Sequence, residues 1–250
     1  MDESLISRLG RAAKTFDRCS GITKANATSG APTISEYEQI VGFGVACDWL
    51  KWSHSLHSLK YSNKRQAKSD RAYGLQELTR FTFLWTAANA LFSRPAIIHL
   101  LDKTTGANAS ELECFRVLFD HSSISVSEAS SLEAVLHKVL SSEMHVKHFP
   151  WPTRSSTITT LDVIFSKYTV ARQQQMGLGK KLSQAAKTGS YSKLDLPSLI
   201  YVTRNWNVHG VLISSSFRGP RKKFNVWIDT VNYALARVLE GSANEFKKVV

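Results

Sequence analysis

The chain has 250 residues, of which 43% are hydrophobic, and this is enough to bury a core of domain size. Its 32 Lys and Arg residues outnumber its 20 Asp and Glu residues, and the formal net charge of +12 favours polyanionic partners, with nucleic acid first among them. The three cysteines, Cys19, Cys47 and Cys114, are widely spaced and form no CxxC pair, which argues against a disulfide framework and a zinc-thiolate site.

The sequence gives no sign of a targeting or membrane segment. The first ten residues carry acidic side chains and lack a long apolar stretch, so we expect no signal peptide. No run approaches the roughly 18 consecutive apolar residues of a membrane span. We therefore predict a cytoplasmic protein without a membrane partner.

The first 33 residues predict a helix followed by a polar linker. Apolar residues recur at helical spacing from residue 3 to residue 16, whereas Ser, Gly, Asn, Thr and Pro dominate from Ser20 to Thr33. We expect this N-terminal segment, 1–33, to precede a helical domain that covers 34–250.

The remaining chain has the periodicity of helices. One begins near Ser35 and runs toward Tyr61, and an apolar central helix covers 70–93 before Pro95 stops it. Further predicted helices cover about 96–103, 110–120, 127–142, 159–175, 195–215 and 225–240, and predicted loops or exposed segments cover 145–152, 179–192 and 216–223. Because period-two apolar runs and internal repeats are lacking, the pattern predicts an all-α bundle.

Arg204, Asn205 and His209 form the constellation most suited to chemistry. Asn205 and His209 are four residues apart and share a helix face, while the long Arg204 side chain can converge on the same target. An imidazole exchanges protons near neutral pH, and a guanidinium keeps its charge beside phosphate oxygens. These are the two functions that metal-free RNA transesterification needs, although an Arg and a His on one helix are weak evidence by themselves.

The surrounding segment, Tyr201-Val-Thr-Arg-Asn-Trp-Asn-Val-His-Gly210, resembles the motif of the HEPN superfamily. In that family an Arg, commonly followed by Asn, precedes a His by four to six intervening residues. An earlier stretch, Arg80-Phe-Thr-Phe-Leu-Trp-Thr-Ala-Ala-Asn-Ala-Leu-Phe92, resembles the aromatic-rich helix that carries one polar residue toward the active centre in several HEPN groups. Asn89 occupies that polar position, and an ordinary helix-surface Asn is the alternative interpretation.

The resemblance implies a HEPN-like four-helix core within about 70–240, with appended helices. It further implies a homodimer whose two motifs face one cleft, and RNA cleavage that leaves cyclic phosphate ends in a toxin or an antiviral defence effector. His209 is then the general acid/base, Arg204 stabilises the scissile phosphate, and Asn205 orients or binds. An antitoxin or another regulatory protein is an implied partner. Val211 stands where one subgroup has a tyrosine that receives a nucleotide, so neutralisation by that chemistry is not expected here.

Other candidate sites are weaker. A basic cluster after the motif could contact the RNA backbone, with a solvated loop as the alternative; its members are Arg218, Arg221, Lys222 and Lys223. The histidine pairs at 54 and 57 and at 145 and 148 lack further ligands, and no P-loop or GxSxG signature is present. We predict no metal site and no cofactor.

Two alternatives to a nuclease remain open. The same fold could bind a nucleotide or RNA through Arg204 and His209 without cutting it, in a larger assembly. The chain could also be a purely structural helical partner whose basic surface serves solubility or docking. A purely structural helical partner would show neither RNA cleavage nor salt-sensitive RNA binding.

Overall fold

A computed structural model describes residues 3–27, 31–56, 70–106, 108–141, 194–208 and 221–250. Within these ranges the chain forms helices and turns but no strand, so the all-α prediction is confirmed. No described helix is long and apolar enough to cross a membrane. The helices are α1 (Glu3–Asn26), α2 (Ile34–Ser55), α3 (Asp70–Phe92), α4 (Pro95–Leu101), α5 (Glu111–Asp120), α6 (Val126–Ser141), α7 (Leu196–Val208) and α8 (Arg221–Val249).

The predicted central helix and the three helices after it are confirmed to within two residues. Arg94 occupies the N-cap position of α4 without a side-chain capping hydrogen bond, and Pro95 lies in the first turn, where the missing N–H of proline costs little. The predicted helix at 159–175, the predicted loop at 145–152 and the predicted exposed segment at 179–192 lie outside the described residues.

The chain divides into two compact units. The first comprises Met1–Lys60, Thr79–Ser125 and Asn232–Val250, and the second comprises Tyr61–Leu78 and Val126–Val231. Helices α3 and α8 contribute residues to both units.

Two aromatic clusters form much of the core of the first unit. The Phe16 and Phe43 ring centroids are 6.1 Å apart, and the Phe43 and Phe246 centroids are 5.2 Å apart. In the second cluster, Phe115 lies 5.1 Å from Trp85 and 5.9 Å from Phe92 between centroids. Aromatic pairs at these separations add to the free energy that burial of their area already contributes.

Helix α1 is longer than the sequence predicts. The expected change to a polar linker at Ser20 is wrong, because α1 continues to Asn26. Cys19 is fully buried and Thr23 is 4% exposed, so both extend the buried face that Phe16 begins. The Ser20 hydroxyl donates to the Ile40 carbonyl of α2 at 3.1 Å. Packing against α2 thus outweighs the weak helix propensity of this segment.

Capping boxes fix the starts of α2 and α5. The Thr33 hydroxyl accepts the Glu36 N–H at 3.2 Å, and the Glu36 carboxylate accepts the Thr33 N–H at 2.8 Å. Ser110 and Glu113 form the same reciprocal pair. The hydrogen bonds from Thr33 lower the pKa of the Glu36 carboxyl, since they favour its charged form.

A buried arginine closes the other end of α2. Arg80 of α3 has no exposed surface, and its guanidinium donates to the carbonyl oxygens of Ser53 and Leu56. Carbonyls in the last turn of a helix have no partner within that helix, and the negative end of the helix dipole favours a cation there. We therefore assign Arg80 to the folding of α2.

Candidate active site

Helix α7 carries Arg204 and Asn205 of the predicted motif and starts where the sequence predicts. The Asp195 carboxylate accepts the Ser198 N–H at 3.2 Å, as expected at a helix start that also contains Pro197. The Glu133 carboxylate of α6 accepts the Leu196 N–H at 2.7 Å. Helix α6 thus anchors the first turn of α7.

A buried hydrogen bond joins α7 to α8 just before Arg204. The indole Nε1–H of Trp227 donates to the Thr203 hydroxyl at 2.9 Å, and that hydroxyl donates to the Leu199 carbonyl at 2.9 Å. Thr203 and Trp227 have no exposed surface. The backbone that presents Arg204 is therefore fixed by an interaction that water cannot replace.

Replacement of Thr203 by valine should lower the free energy of unfolding by about 1–3 kcal/mol, because it leaves the buried Trp227 N–H without its acceptor. Thr230→Val is the matched control. The Thr230 hydroxyl is partly exposed and donates to the Val226 carbonyl of its own helix at 2.7 Å, so its loss should change stability by less than about 0.5 kcal/mol. Urea denaturation measures both values, and an equal effect in both variants would contradict this account of the bond.

Arg204 and Asn205 lie together on α7. The Arg204 Nη1 donates to the Asn205 side-chain oxygen at 2.8 Å, and Asn205 is only 5% exposed. The Arg204 guanidinium carbon lies 5.8 Å from the ring centroid of Tyr201, one turn earlier, within cation–π range. Together these contacts hold a half-buried cation in one orientation. A fixed planar guanidinium suits two oxygens of a phosphate group.

The start of α8 corrects the predicted basic loop. Arg221, Lys222 and Lys223 belong to the first turn of α8 and not to a loop that ends at Lys223. Packing on α3 accounts for the earlier start. The side chains of these three residues, together with Arg218 and His209, lie outside the described residues.

Contacts with α3 hold the first turns of α8 within the second unit. The Asn225 amide donates to the Asp70 carbonyl at 3.2 Å, and the Tyr73 hydroxyl donates to the Asp229 carboxylate at 2.9 Å. A side chain at Gly74 would approach the Asn225 oxygen to 2.7 Å, so glycine permits this close contact of the helices. The basic residues at 221–223 are thereby tied to a packed helix end.

The positive charge of the sequence is concentrated in the second unit. Of the chain's 32 Lys and Arg and 20 Asp and Glu residues, the residue ranges of this unit hold 18 and 8, a net charge of +10 (18 − 8). The first unit holds the remaining 14 and 12, a net charge of +2 (14 − 12). Arg204 therefore belongs to a unit whose average field strongly attracts polyanions.

Asn89 belongs to the first unit, unlike Arg204 and Asn205. It lines a pocket of about 310 Å³ that α3, α4 and α5 form with the loop before α5. His99 and Cys114 also line this pocket, and neither was predicted as a site residue. No spacing signal marks them, since the three residues meet only after the helices pack.

In the described part of the chain, no three His, Cys, Asp or Glu residues lie where they could hold a metal ion. No protein-family model, no curated protein and no solved structure matches the chain.

Proposed function

We propose that the chain is an endoribonuclease of HEPN type that cleaves RNA by transesterification. The observation that carries the proposal is the oriented Arg204 guanidinium, which Asn205 and Tyr201 hold on α7 five residues before His209. In such a site a fixed cation accompanies a group that can transfer protons at neutral pH.

The reaction needs one nucleophile and one leaving group, both supplied by the RNA. The ribose 2′-oxygen attacks the adjacent phosphorus and loses its proton to a base, while the bond from phosphorus to the 5′-oxygen breaks and that oxygen gains a proton. The products are a 2′,3′-cyclic phosphate and a 5′-hydroxyl. We assign the proton transfer to His209 and the stabilisation of the phosphorane charge to Arg204.

Asn205 acts in this proposal by positioning Arg204. Its side-chain oxygen accepts one of the five guanidinium N–H groups, and burial restricts its own rotamers. The positive charge of the second unit supports RNA as the substrate, because phosphate contacts dominate nucleic-acid affinity. We assign RNA-backbone contacts to Arg218, Arg221, Lys222 and Lys223.

We further propose, from the HEPN resemblance, that the chain acts as a cytoplasmic homodimer whose two Arg204 segments face one cleft. A toxin or antiviral effector restrained by an antitoxin or another regulatory protein is the biological setting that this resemblance suggests.

Incubation of the purified chain with total RNA in EDTA tests the proposal. We expect fragmentation by the wild type and about 100-fold slower fragmentation by His209→Ala, because general acid–base catalysis typically contributes at least that factor. Intact RNA in both samples would refute the nuclease. If the wild type binds RNA without cutting it, and Arg204→Ala binds RNA more weakly, the chain is a non-catalytic RNA-binding module.

A further inference from the structure

The pocket beside Asn89 has the composition of a ligand site. Its volume of about 310 Å³ lies at the lower end of the range for small-molecule pockets, which are mostly apolar with a few convergent polar groups. Its lining combines the apolar side chains of Phe92, Pro95, Ile98 and Ala109 with polar groups of Asn89, Ser93, His99, Thr105, Glu111 and Cys114.

One aromatic wall of the pocket is rigid. The Phe92 ring packs edge-on against Trp85 and Phe115, with centroid distances of 5.4 and 5.9 Å. At the rim, the His99 Nε2 lies 3.0 Å from the Thr105 carbonyl oxygen, which can only accept, so Nε2 carries the hydrogen. A pocket wall formed by the fixed Phe92 ring favours a flat ligand, because stacking on such a face costs the protein little ordering.

The polar groups select a neutral ligand that has a hydrogen-bond donor. Among the described residues that line the pocket there is no lysine or arginine, so these residues offer no cation to a phosphate. Burial, followed by the nearby Glu113 carboxylate, raises the pKa of the Cys114 thiol, which stays uncharged at neutral pH. The Glu111 carboxylate accepts hydrogen bonds when ionised and so favours an exocyclic amine over a carbonyl oxygen.

The Asn89 amide supplies the remaining specificity. On the pocket lining, this amide offers one acceptor beside two donors. Asparagine can form two hydrogen bonds with adenine, in which the N6 amine donates and the ring nitrogen N7 accepts.

We propose that this pocket binds the adenine base of a nucleoside or nucleotide. Phe92 supports the ring, and Asn89 reads the amine and the adjacent ring nitrogen. The Glu111 carboxylate disfavours bases that carry a carbonyl oxygen in place of this amine. Adenine binding at this pocket goes beyond the proposed function and does not depend on RNA cleavage.

Isothermal titration of the full chain with free adenosine tests this inference separately from the nuclease assay. We expect saturable adenosine binding and about tenfold weaker binding of inosine, in which a carbonyl oxygen replaces the amine. Asn89→Ala should weaken adenosine binding by about tenfold, whereas Thr86→Ala, on the same helix but outside the pocket lining, should leave it unchanged.

A second variant keeps the test decisive if Asn89→Ala does not fold. Ala109→Leu retains Asn89 but places a larger side chain on the pocket wall, so it should also weaken adenosine binding. The inference is overturned if the wild type shows no saturable binding, if inosine binds as tightly as adenosine, or if both pocket variants bind like the wild type. Unchanged adenosine binding by His209→Ala would show that the pocket binds adenosine without the proposed catalytic residue, whether or not RNA is cleaved.

Discussion

Replacement of Arg204 by alanine should lower kcat for RNA cleavage by about 100- to 1000-fold, the usual cost of losing one group that stabilises transition-state charge. In the proposed mechanism, the orientation of this arginine suits that task. Its guanidinium is already oriented by the 2.8 Å bond to Asn205 and by the Tyr201 ring, so little ordering is needed when the phosphate arrives.

The kinetic form of the Arg204 effect distinguishes its possible roles. A group that acts mainly on the transition state changes kcat, whereas one that binds substrate and transition state equally changes KM. Arg204→Lys keeps the charge but loses the planar guanidinium, so we expect its kcat to lie between those of Arg204→Ala and the wild type. Lys138→Ala removes an exposed charge of α6 and should alter kcat by less than about twofold. Wild-type kcat in a folded Arg204→Ala variant would remove this residue from the mechanism.

Replacement of Gly241 by alanine should lower the free energy of unfolding by about 2–3 kcal/mol, because the added methyl group overpacks a helix contact. A Cβ at this position of α8 would overlap the Ser123 nitrogen and approach the Ser122 Cα to 2.7 Å. Backbone atoms cannot turn aside as a flexible side chain can. The Ser242 hydroxyl also bonds the Leu118 carbonyl at 3.1 Å, so α8 cannot move away without losing that bond.

Gly21→Ala is the matched control for this steric effect. Gly21 also lies in a helix, but no heavy atom outside its local helix backbone is within 4 Å of an added Cβ. Alanine should therefore raise stability there by up to about 1 kcal/mol through helix propensity alone. Urea denaturation with constant m-values measures both changes. If both variants changed the free energy of unfolding by a similar amount and with the same sign, helix propensity, and not the contact with Ser122 and Ser123, would control the result.

Local signals in the sequence predict much of the helical architecture. The apolar periodicity of 70–93 and the proline at 95 locate α3 and its end, and the Asp195 segment locates the start of α7. Long-range packing explains the part of α1 that the sequence pattern did not predict. Ser20 and Thr23 have weak helix propensity, but their environment against α2 extends α1 to Asn26.

The candidate site was predictable only in part. The sequence places Arg204 and Asn205 on one helix, whereas the direction of their hydrogen bond and the anchoring of α7 by Trp227 depend on side-chain packing. The sequence singles out Asn89, but it does not predict the pocket beside it, since His99 and Cys114 come from two other helices and match no motif.

The chemical nature of the RNA ends tests the central claim most directly. After incubation with the wild-type chain in EDTA, mass spectrometry of the fragments should detect 2′,3′-cyclic phosphates paired with 5′-hydroxyls, and His209→Ala should not produce them above background. RNA that stays intact, or fragments that carry 3′-hydroxyls and form only when a divalent metal is present, would contradict the assignment of Arg204 and His209 to metal-independent transesterification.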